Sequence, residues 1–200
     1  MSVTKLLLGT NNSGKARELF VLLEGIPFAV TTPQAEGIVL EVDETGTTFE
    51  ENAVIKAMAF AAASGLTVLA DDSGLEVDAL GGEPGVLSAR YAGPDASDED
   101  RVHYLLSKMQ GIEWNKRGAR FRSVIAVAEP SGTVRLFEGT CEGIIALNPK
   151  GEGGFGYDPV FYIPFLGKLM AELSMDEKNS MSHRGGAARN AVEYLKGVAG

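Results

Sequence analysis

The fold is decided first by one short segment, Lys5-Leu6-Leu7-Leu8-Gly9-Thr10-Asn11-Asn12-Ser13-Gly14-Lys15. Its three consecutive leucines between polar ends predict a short buried strand over Lys5 to Thr10. Asn12 or Ser13 can then cap a helix, because apolar side chains recur at helical spacing as far as Gly25. A strand followed at once by a helix indicates the start of an alternating α/β arrangement.

The rest of the chain continues this alternation and then changes to a hairpin. An Ala-rich helix, opened by the capping-box spacing at Thr48 and running to about Gly65, separates a strand near Phe28 to Thr31 from a strand over Thr67 to Ala70. The strand over Thr67 to Ala70 is predicted to end abruptly at Asp71. Further predicted elements are a helix opened by Ser97, a hairpin of Phe121 to Ala128 with Val134 to Ile145, a strand over Val160 to Tyr162 and a helix after Ser182. The mixture predicts an α/β or α+β architecture with a mixed sheet. Because the sequence contains no Pro- or Ser-rich linker and no internal repeat, one structural unit over residues 1–200 is predicted.

Composition excludes several classes of protein. The 200 residues (21.1 kDa) are 44% hydrophobic and 22% charged, which is typical of a globular protein and not of a disordered one. The net charge of -9 argues against a protein that coats nucleic acid. Cys141 is the single cysteine, so no internal disulfide can form. The N-terminal apolar run is too short for a signal peptide, and the stretch Met58 to Ala70 is shorter than the ~20 residues of a membrane helix. A cytoplasmic protein with no membrane partner is therefore expected.

The loop from Gly9 to Lys15 has the features of a phosphate-binding loop. It follows a strand and opens a helix, where free backbone N–H groups and the helix dipole favour an anion. Its spacing nearly matches a Walker A motif, but Ala16 stands where that motif needs a hydroxyl group for magnesium. The sequence therefore predicts a phosphate cradle whose metal is held elsewhere. A plain helix entry with polar caps and a surface lysine is the alternative.

Two adjacent aspartates, Asp71 and Asp72, are candidates for metal binding or general-base chemistry. They follow an apolar run, and a carboxylate at the end of a strand is a common magnesium ligand or base. Because side chains alternate along a strand, only one of the two is expected to face a given cleft. An Asx-type turn is the alternative. Magnesium takes one or two carboxylates plus phosphates, and spacing alone does not choose among Glu41, Asp43, Glu44, Glu50, Glu51 and Asp72.

Two groups of cations are candidates for contact with an anionic or polar ligand. Lys56 lies four residues after Asn52, so the two side chains share one helix face. Lys178, His183 and Arg184 lie near each other in the sequence. The last two fall in the first turn of a helix, where the dipole disfavours cations unless an anion or polar ligand faces them. Solvated surface positions are the alternative for each of these residues.

The stretch from Gly151 to Pro159 is the most unusual of the chain, because glycines bracket two aromatic residues. Phe155 and Tyr157 could stack on a flat heteroaromatic ring, and Asp158 could accept hydrogen bonds from the N–H groups of a base. The alternative is a long turn before a strand, with both rings filling the local core.

Six of these segments occur in a fixed order that spans residues 10 to 184. They are Thr10-x-Asn12-x-x-Lys15, Thr48-Phe49-x-Glu51-Asn52-Ala53, Ala70-Asp71-Asp72-Ser73-Gly74-Leu75, Pro84-Gly85-x-x-Ser88-Ala89-Arg90-Tyr91, Gly154-Phe155-Gly156-Tyr157-Asp158-Pro159 and Ser182-His183-Arg184. With these motifs the chain resembles the inosine/xanthosine triphosphate pyrophosphatase family, the house-cleaning enzymes for nonstandard purine nucleotides. Each motif is weak alone, but six in order are very specific.

The resemblance implies both a fold and an activity. The fold would be α/β, with an elongated mixed β-sheet flanked by helices and two lobes around a central cleft. The activity would be the Mg²⁺-dependent hydrolysis of dITP, ITP, XTP and dXTP to the monophosphate and pyrophosphate, which keeps these nucleotides out of DNA and RNA. A homodimer is also implied, with small-molecule nucleotides as ligands and neither nucleic acid nor membrane as a partner.

The resemblance also implies roles for individual residues. Asp72 would be the general base and a metal ligand, Glu44 the second metal ligand, and Lys56 a catalytic cation that neutralises charge. The triphosphate and sugar would be bound by Thr10, Asn11, Asn12, Ser13, Gly14, Lys15 and Ser73. The base would be bound by Phe155, Gly156, Tyr157, Asp158, Lys178, His183 and Arg184.

Two other classes of function fit parts of the same pattern. A P-loop kinase or ATPase would yield a phosphorylated acceptor or ADP, whereas the favoured reaction yields a monophosphate and pyrophosphate. A nucleotide sensor would bind without turnover. Maf-like pyrophosphatases share the chemistry, but their motif pattern is not seen here. For the favoured enzyme, donors aimed at O6 of the base predict ITP and XTP as preferred substrates, GTP well behind, and ATP nearly inert.

Overall fold

The structure is a computed structural model that describes residues 4–198 of the chain. Within these residues, seven strands and five α-helices are found. The strands are β1 (Lys5–Leu8), β2 (Ala29–Thr31), β3 (Thr67–Val77), β4 (Gly118–Ala128), β5 (Val134–Ile145), β6 (Phe161–Ile163) and β7 (Lys168–Leu169). The helices are α1 (Ser13–Leu22), α2 (Phe49–Ser64), α3 (Asp98–Lys108), α4 (Met175–Met181) and α5 (His183–Val198). Short 3₁₀ turns connect several of them.

The seven strands form one mixed sheet in the order β2-β1-β3-β4-β5-β6-β7. β1 pairs in parallel with both β2 and β3, whereas β6 pairs antiparallel with β5 and β7. The helices flank this sheet, so the predicted α/β class with a mixed sheet is confirmed. The parallel strands are separated by helices, as parallel pairing requires a crossover connection.

Local signals placed the helix starts correctly. Asn12 accepts a hydrogen bond from the backbone N–H of Lys15 at 2.9 Å, and Thr48 accepts one from Glu51 at 3.1 Å. Ser97 caps α3 in a complete capping box. These side chains satisfy N–H groups that have no partner within the helix, which is why the helices begin where the sequence predicted.

β1 ends at Leu8 and not at Thr10, and β4 begins at Gly118 and not at Phe121, but the largest boundary error is at the end of β3. The strand expected to end at Ala70 continues through Asp71, Asp72 and Gly74 to Val77, so β3 has 11 residues. The two aspartates are therefore in the interior of a strand, and neither an abrupt strand end nor an Asx-type turn is present there. Burial of two carboxylates in a strand requires partners from other elements, and these partners are described below.

Contacts divide the chain into two compact units. The first unit contains the described residues up to Asp72, Ser123–Gly139 and the described residues from Arg184 onward. Its core is formed by aliphatic side chains of β1 and α1 with the alanines of α5. The second unit contains Ser73–Arg122 and Thr140–His183. Its core includes both aromatic and aliphatic side chains, among them Phe121 and Phe161 with ring centroids 4.4 Å apart. One bilobed domain with a central cleft stays a prediction.

No helix within residues 4–198 combines the length and apolar character that crossing a membrane would require.

Candidate active site

The glycine loop of the first unit is ordered by its own polar side chains. Thr10 Oγ1 accepts a hydrogen bond from the backbone N–H of Asn12 at 3.1 Å, and Asn12 then caps α1. Asn11 donates through Nδ2 to the carbonyl of Leu40 at 3.0 Å, which ties the loop to the segment before α2. The loop thus ends in a capped helix N-terminus, a geometry that favours an anion.

Lys15 follows Ser13 and Gly14 in the first turn of α1 and points its ammonium group at β3. Its Nζ lies 2.8 Å from Oδ2 of Asp71 and 3.4 Å from the backbone carbonyl of the same residue. Burial lowers the pKa of Lys15, although the charge of Asp71 opposes this shift. The predicted phosphate lysine therefore lies beside Asp71, the aspartate to which the family resemblance assigned no role.

Asp71 is the centre of a buried polar cluster. Besides Lys15, it contacts Arg184 Nη2 at 3.2 Å and accepts a hydrogen bond from Ser123 Oγ at 2.5 Å. Burial alone would raise the pKa of Asp71, but Arg184 and Lys15 hold that pKa well below its usual value. Arg184 also contacts Glu18 at 2.5 Å, so its guanidinium lies between two carboxylates.

Arg184 was predicted to bind the base and to face an anion or polar ligand from the first turn of a helix. Its side chain is only 1% exposed, and the anions that it faces are Asp71 and Glu18. These contacts favour a positioning role. The sequence predicted a role for neither Glu18 nor Ser123, and the only available signal for Glu18 was its place on α1, three residues after Lys15.

Lys56 brings Glu44 and Asp72 together. Its Nζ lies 2.8 Å from Glu44 Oε1 and 3.2 Å from Asp72 Oδ1. Burial opposes the charge of Lys56, but the two carboxylates outweigh it and raise its pKa. Burial also raises the pKa of Asp72, with Lys56 acting in the opposite direction. Asp71 and Asp72 thus have different cationic partners, as the alternation along a strand predicts.

Asn52 orders the backbone near Glu44. Its Oδ1 accepts a hydrogen bond from the N–H of Gly46 at 2.8 Å, and its side chain is fully buried. A Cβ atom at position 46 would lie 2.7 Å from that oxygen, so only glycine fits there. The sequence placed Asn52 on the same helix face as Lys56 but assigned it no task. Its contact with Gly46 assigns it the task of ordering the segment that carries Glu44.

The carboxylates suit a divalent metal that also binds phosphate. Within residues 4–198, no group of three or more His, Cys, Asp or Glu side chains is arranged to hold a metal ion by itself. Asp72 Oδ2 is nevertheless buried without a hydrogen-bond partner in this part of the chain. Glu44 is close to it, because Glu44 and Asp72 both contact the ammonium group of Lys56. Two carboxylates plus phosphate oxygens match the preference of Mg²⁺. Of the other candidates, Glu51 instead contacts Thr47 through the backbone N–H and the hydroxyl.

In the second unit, Phe155, Asp158 and Lys178 come together. Lys178 Nζ lies 2.5 Å from Asp158 Oδ2 and 4.8 Å from the centre of the Phe155 ring. The same carboxylate oxygen accepts the backbone N–H of Phe155 at 2.9 Å. A Cβ atom at Gly154, whose φ is +74°, would collide with Asp158, so the tight loop requires glycine here. Side chains from the aromatic loop and α4 thus form one group.

The other residues predicted to contact the base are fixed by contacts within the second unit. The ring of Tyr157 is buried in the core, and its hydroxyl donates to the carbonyl of Ser88 at 2.9 Å. The backbone N–H of Gly156 donates to Asp98 at 2.7 Å, and His183 stacks on Phe121 with ring centroids 4.7 Å apart. The ring of Tyr157 therefore fills the core, as the alternative interpretation predicted, whereas the ring of Phe155 is partly exposed.

Ser73, which was predicted to bind phosphate or sugar, is also partly exposed.

Comparison with known proteins identifies close relatives over nearly the whole chain. Residues 6–194 match the Ham1 family. The chain is 51% identical over 191 residues to the dITP/XTP pyrophosphatase of Desulforamulus reducens, covering 96% of this chain and 95% of the relative. It is 52% identical over 199 residues to the dITP/XTP pyrophosphatase of Methylococcus capsulatus, covering 98% of each.

Solved structures of two further proteins have the same fold. The Ham1 protein of Staphylococcus aureus superimposes with a TM-score of 0.87 at 43% identity, covering 98% of this chain and all of that one (100%). A HAM1 protein from Coxiella burnetii gives a TM-score of 0.88 at 40% identity, covering 97% of this chain and 99% of that one.

Proposed function

Because the chain belongs to the Ham1 family, we propose that it hydrolyses nonstandard purine nucleoside triphosphates to the monophosphate and pyrophosphate. The substrates are dITP, ITP, XTP and dXTP, and their removal keeps them out of DNA and RNA. The single observation that carries this proposal is that Asp72 and Glu44 both contact the ammonium group of Lys56. They do so in a chain whose sequence is 51–52% identical to dITP/XTP pyrophosphatases. A base, a metal site and a cation are what anhydride hydrolysis requires.

Glu44 and Asp72 would hold a divalent metal, which we propose to be Mg²⁺. The fit is supported by the unsatisfied, buried Oδ2 of Asp72 and by the neighbouring carboxylate of Glu44. When bound, the metal would neutralise phosphate charge and polarise the anhydride. Asn52, through Gly46, would keep the Glu44 segment in place for this task.

Asp72 would act as the general base on a water molecule that attacks the α-phosphorus. Its Oδ1 contacts Lys56, which leaves Oδ2 as the atom for a proton or a metal. Burial raises the pKa of the metal-free Asp72 carboxylate, which favours acceptance of a proton from water. Lys56, with its raised pKa, stays an ammonium ion near neutral pH and offsets the charge that develops on phosphate.

The triphosphate would bind to the glycine loop. The capped N-terminus of α1 directs backbone N–H groups outward, and Thr10 to Lys15, with Ser73, would contact phosphate and sugar oxygens. Lys15 supplies the cation of this loop. An Ala at position 16 is compatible with this arrangement, because the metal ligands come from Glu44 and Asp72 and not from a hydroxyl after the lysine.

The base would be recognised by the second unit. Phe155 offers a partly exposed ring for stacking, and Lys178 lies over that ring while paired with Asp158. Hypoxanthine and xanthine carry an acceptor at O6 and a donor at N1, whereas adenine carries an amino group and a bare N1. Lys178 and His183 are the donors for O6, and donors left unpaired against adenine disfavour ATP. The order ITP and XTP, then GTP, then ATP is therefore proposed.

The deciding experiment is a product analysis with ITP, XTP, GTP and ATP, each with Mg²⁺ and with excess EDTA. We expect the monophosphate and pyrophosphate from ITP and XTP, loss of activity in EDTA, and recovery with added Mg²⁺. ADP or a phosphorylated acceptor would instead support a P-loop enzyme. Binding of ITP without any product in a single-turnover assay would support a sensor, and full activity in EDTA would refute the metal-assisted mechanism.

We also propose a homodimer located in the cytoplasm. A depression between the N-terminal half of α2 and the hairpin supports self-association through the first unit, because it exposes mostly apolar atoms; it is lined by Gly46, Glu50, Glu51, Val54, Ile55 and Leu136. Light scattering during size-exclusion chromatography should give twice the 21.1 kDa of the chain. A mass of one chain at micromolar concentration would contradict the dimer.

A further inference from the structure

Asp71 is a carboxylate for which the proposed reaction has no role. Its side chain is fully buried, so it is not placed to touch a nucleotide or a metal ion. It contacts Lys15 at 2.8 Å, Arg184 at 3.2 Å and the Ser123 hydroxyl at 2.5 Å. A buried charge is expensive unless it is paired, and Asp71 is paired from three different elements.

Lys15 depends on this carboxylate for its position. Its Nζ is within reach of both the side chain and the backbone carbonyl of Asp71, so two oxygens of one residue fix the ammonium group. Arg184 and Lys56 are nearby cations whose charges act against that of Lys15. Without Asp71, Lys15 would lose its contacting counterion and keep only the weaker attraction of Asp72 against this repulsion, whereas Arg184 keeps Glu18 as its own counterion.

From these contacts we infer that Asp71 is a positioning residue that acts through Lys15, holding its ammonium group at the glycine loop for contact with the triphosphate. The inference rests on the proposed phosphate-binding role of Lys15. Lys15 has a lengthy, flexible side chain, and a cation that is already fixed loses less conformational entropy when phosphate arrives. Asp71 thereby prepares the loop without touching the substrate.

A double-mutant cycle with ITP tests this inference. The variants are Asp71→Asn, Lys15→Met and the double variant, each measured for kcat, KM and thermal unfolding. We expect each single change to lower kcat/KM by about 10²-fold, with KM raised in both, and the double variant to lie within about threefold of Lys15→Met. Multiplication of the two losses to about 10⁴-fold would overturn the inference, because Asp71 would then act independently of Lys15.

Ser123→Ala is the matched control, because it removes a neutral hydrogen bond to the same carboxylate and leaves its ion pairs. We expect it to lower kcat/KM by less than about fivefold. A loss as large as that of Asp71→Asn would indicate that the carboxylate serves packing alone, and would overturn the inference. Thermal unfolding does not distinguish these cases, whereas the coupling in kcat/KM does.

The test does not depend on the folding of Asp71→Asn. That variant leaves one buried cation without a counterion, but the double variant removes one charge of each sign. Comparison of Lys15→Met with the double variant is therefore sufficient, and a further large loss in the double variant overturns the inference. If Lys15→Met itself keeps wild-type kcat/KM, the proposed phosphate role of Lys15 fails as well. If Lys15→Met has a lowered kcat/KM but the losses of the two single variants multiply in the double variant, only the role of Asp71 fails.

Discussion

Replacement of Asp72 by asparagine tests the proposed mechanism most directly. The amide keeps the shape of the side chain and an oxygen for Lys56, which lies 3.2 Å from Oδ1. It cannot accept a proton at the position of Oδ2, the atom left without a hydrogen-bond partner among the described residues. General-base catalysis contributes about 10²–10⁴-fold, and a lost metal ligand adds to this. We therefore expect turnover to fall by on the order of 10³-fold or more, about 4 kcal/mol of barrier.

Stability should change much less than turnover. The Asp72 carboxylate is desolvated, so its removal relieves a penalty while Lys56 keeps Glu44 at 2.8 Å as a counterion. The assay is the steady-state release of pyrophosphate from ITP at saturating Mg²⁺, with thermal unfolding recorded for each variant. Asp43→Asn is the matched control, since it makes the same chemical change on an exposed carboxylate next to Glu44. If Asp72→Asn keeps more than about a tenth of wild-type turnover, Asp72 is not the base.

Three further predictions concern other parts of the molecule. Asn52→Ala removes the 2.8 Å bond to Gly46 and should raise the Mg²⁺ concentration needed for half-maximal activity; an unchanged titration would contradict its effect on the Glu44 segment. Lys178→Met should lower kcat/KM for ITP by on the order of 10²-fold and for ATP far less, and equal losses would remove Lys178 from base recognition. Burial raises the pKa of Cys141 to about 11, so its thiol should resist a disulfide reagent at pH 8 until the chain unfolds; rapid labelling of the folded protein would refute this.

The helices and most strands were predictable because their signals are local. Three consecutive leucines define β1, and Asn12, Thr48 and Ser97 cap helices within three residues of themselves. Such patterns depend on neighbouring residues alone, so one sequence is sufficient to find them. The order of the six motifs then indicated the family, and the resemblance to that family implied the residues of the site.

The extension of β3 was not predictable in this way. Two aspartates followed by Ser73 and Gly74 have low strand propensity and indicate a turn. The strand continues because the partners of Asp71 are supplied from far away, with Lys15, Ser123 and Arg184 being 56, 52 and 113 residues distant in the sequence. Tertiary contacts of this kind override local propensity, and a pattern search along the chain does not detect them.

The continuation of β3 through Asp71 and Asp72 has a consequence for catalysis. In a strand, neighbouring side chains point to opposite faces, so two adjacent carboxylates can serve separate cations without competing for one of them. Asp71 pairs with Lys15 and Asp72 pairs with Lys56, and burial raises the pKa of Asp72 while cations lower that of Asp71. A turn at this point would not fix the alternation. The interior of a strand would therefore allow Asp71 to stay a charged anchor, as we infer, while Asp72 serves as the proposed base.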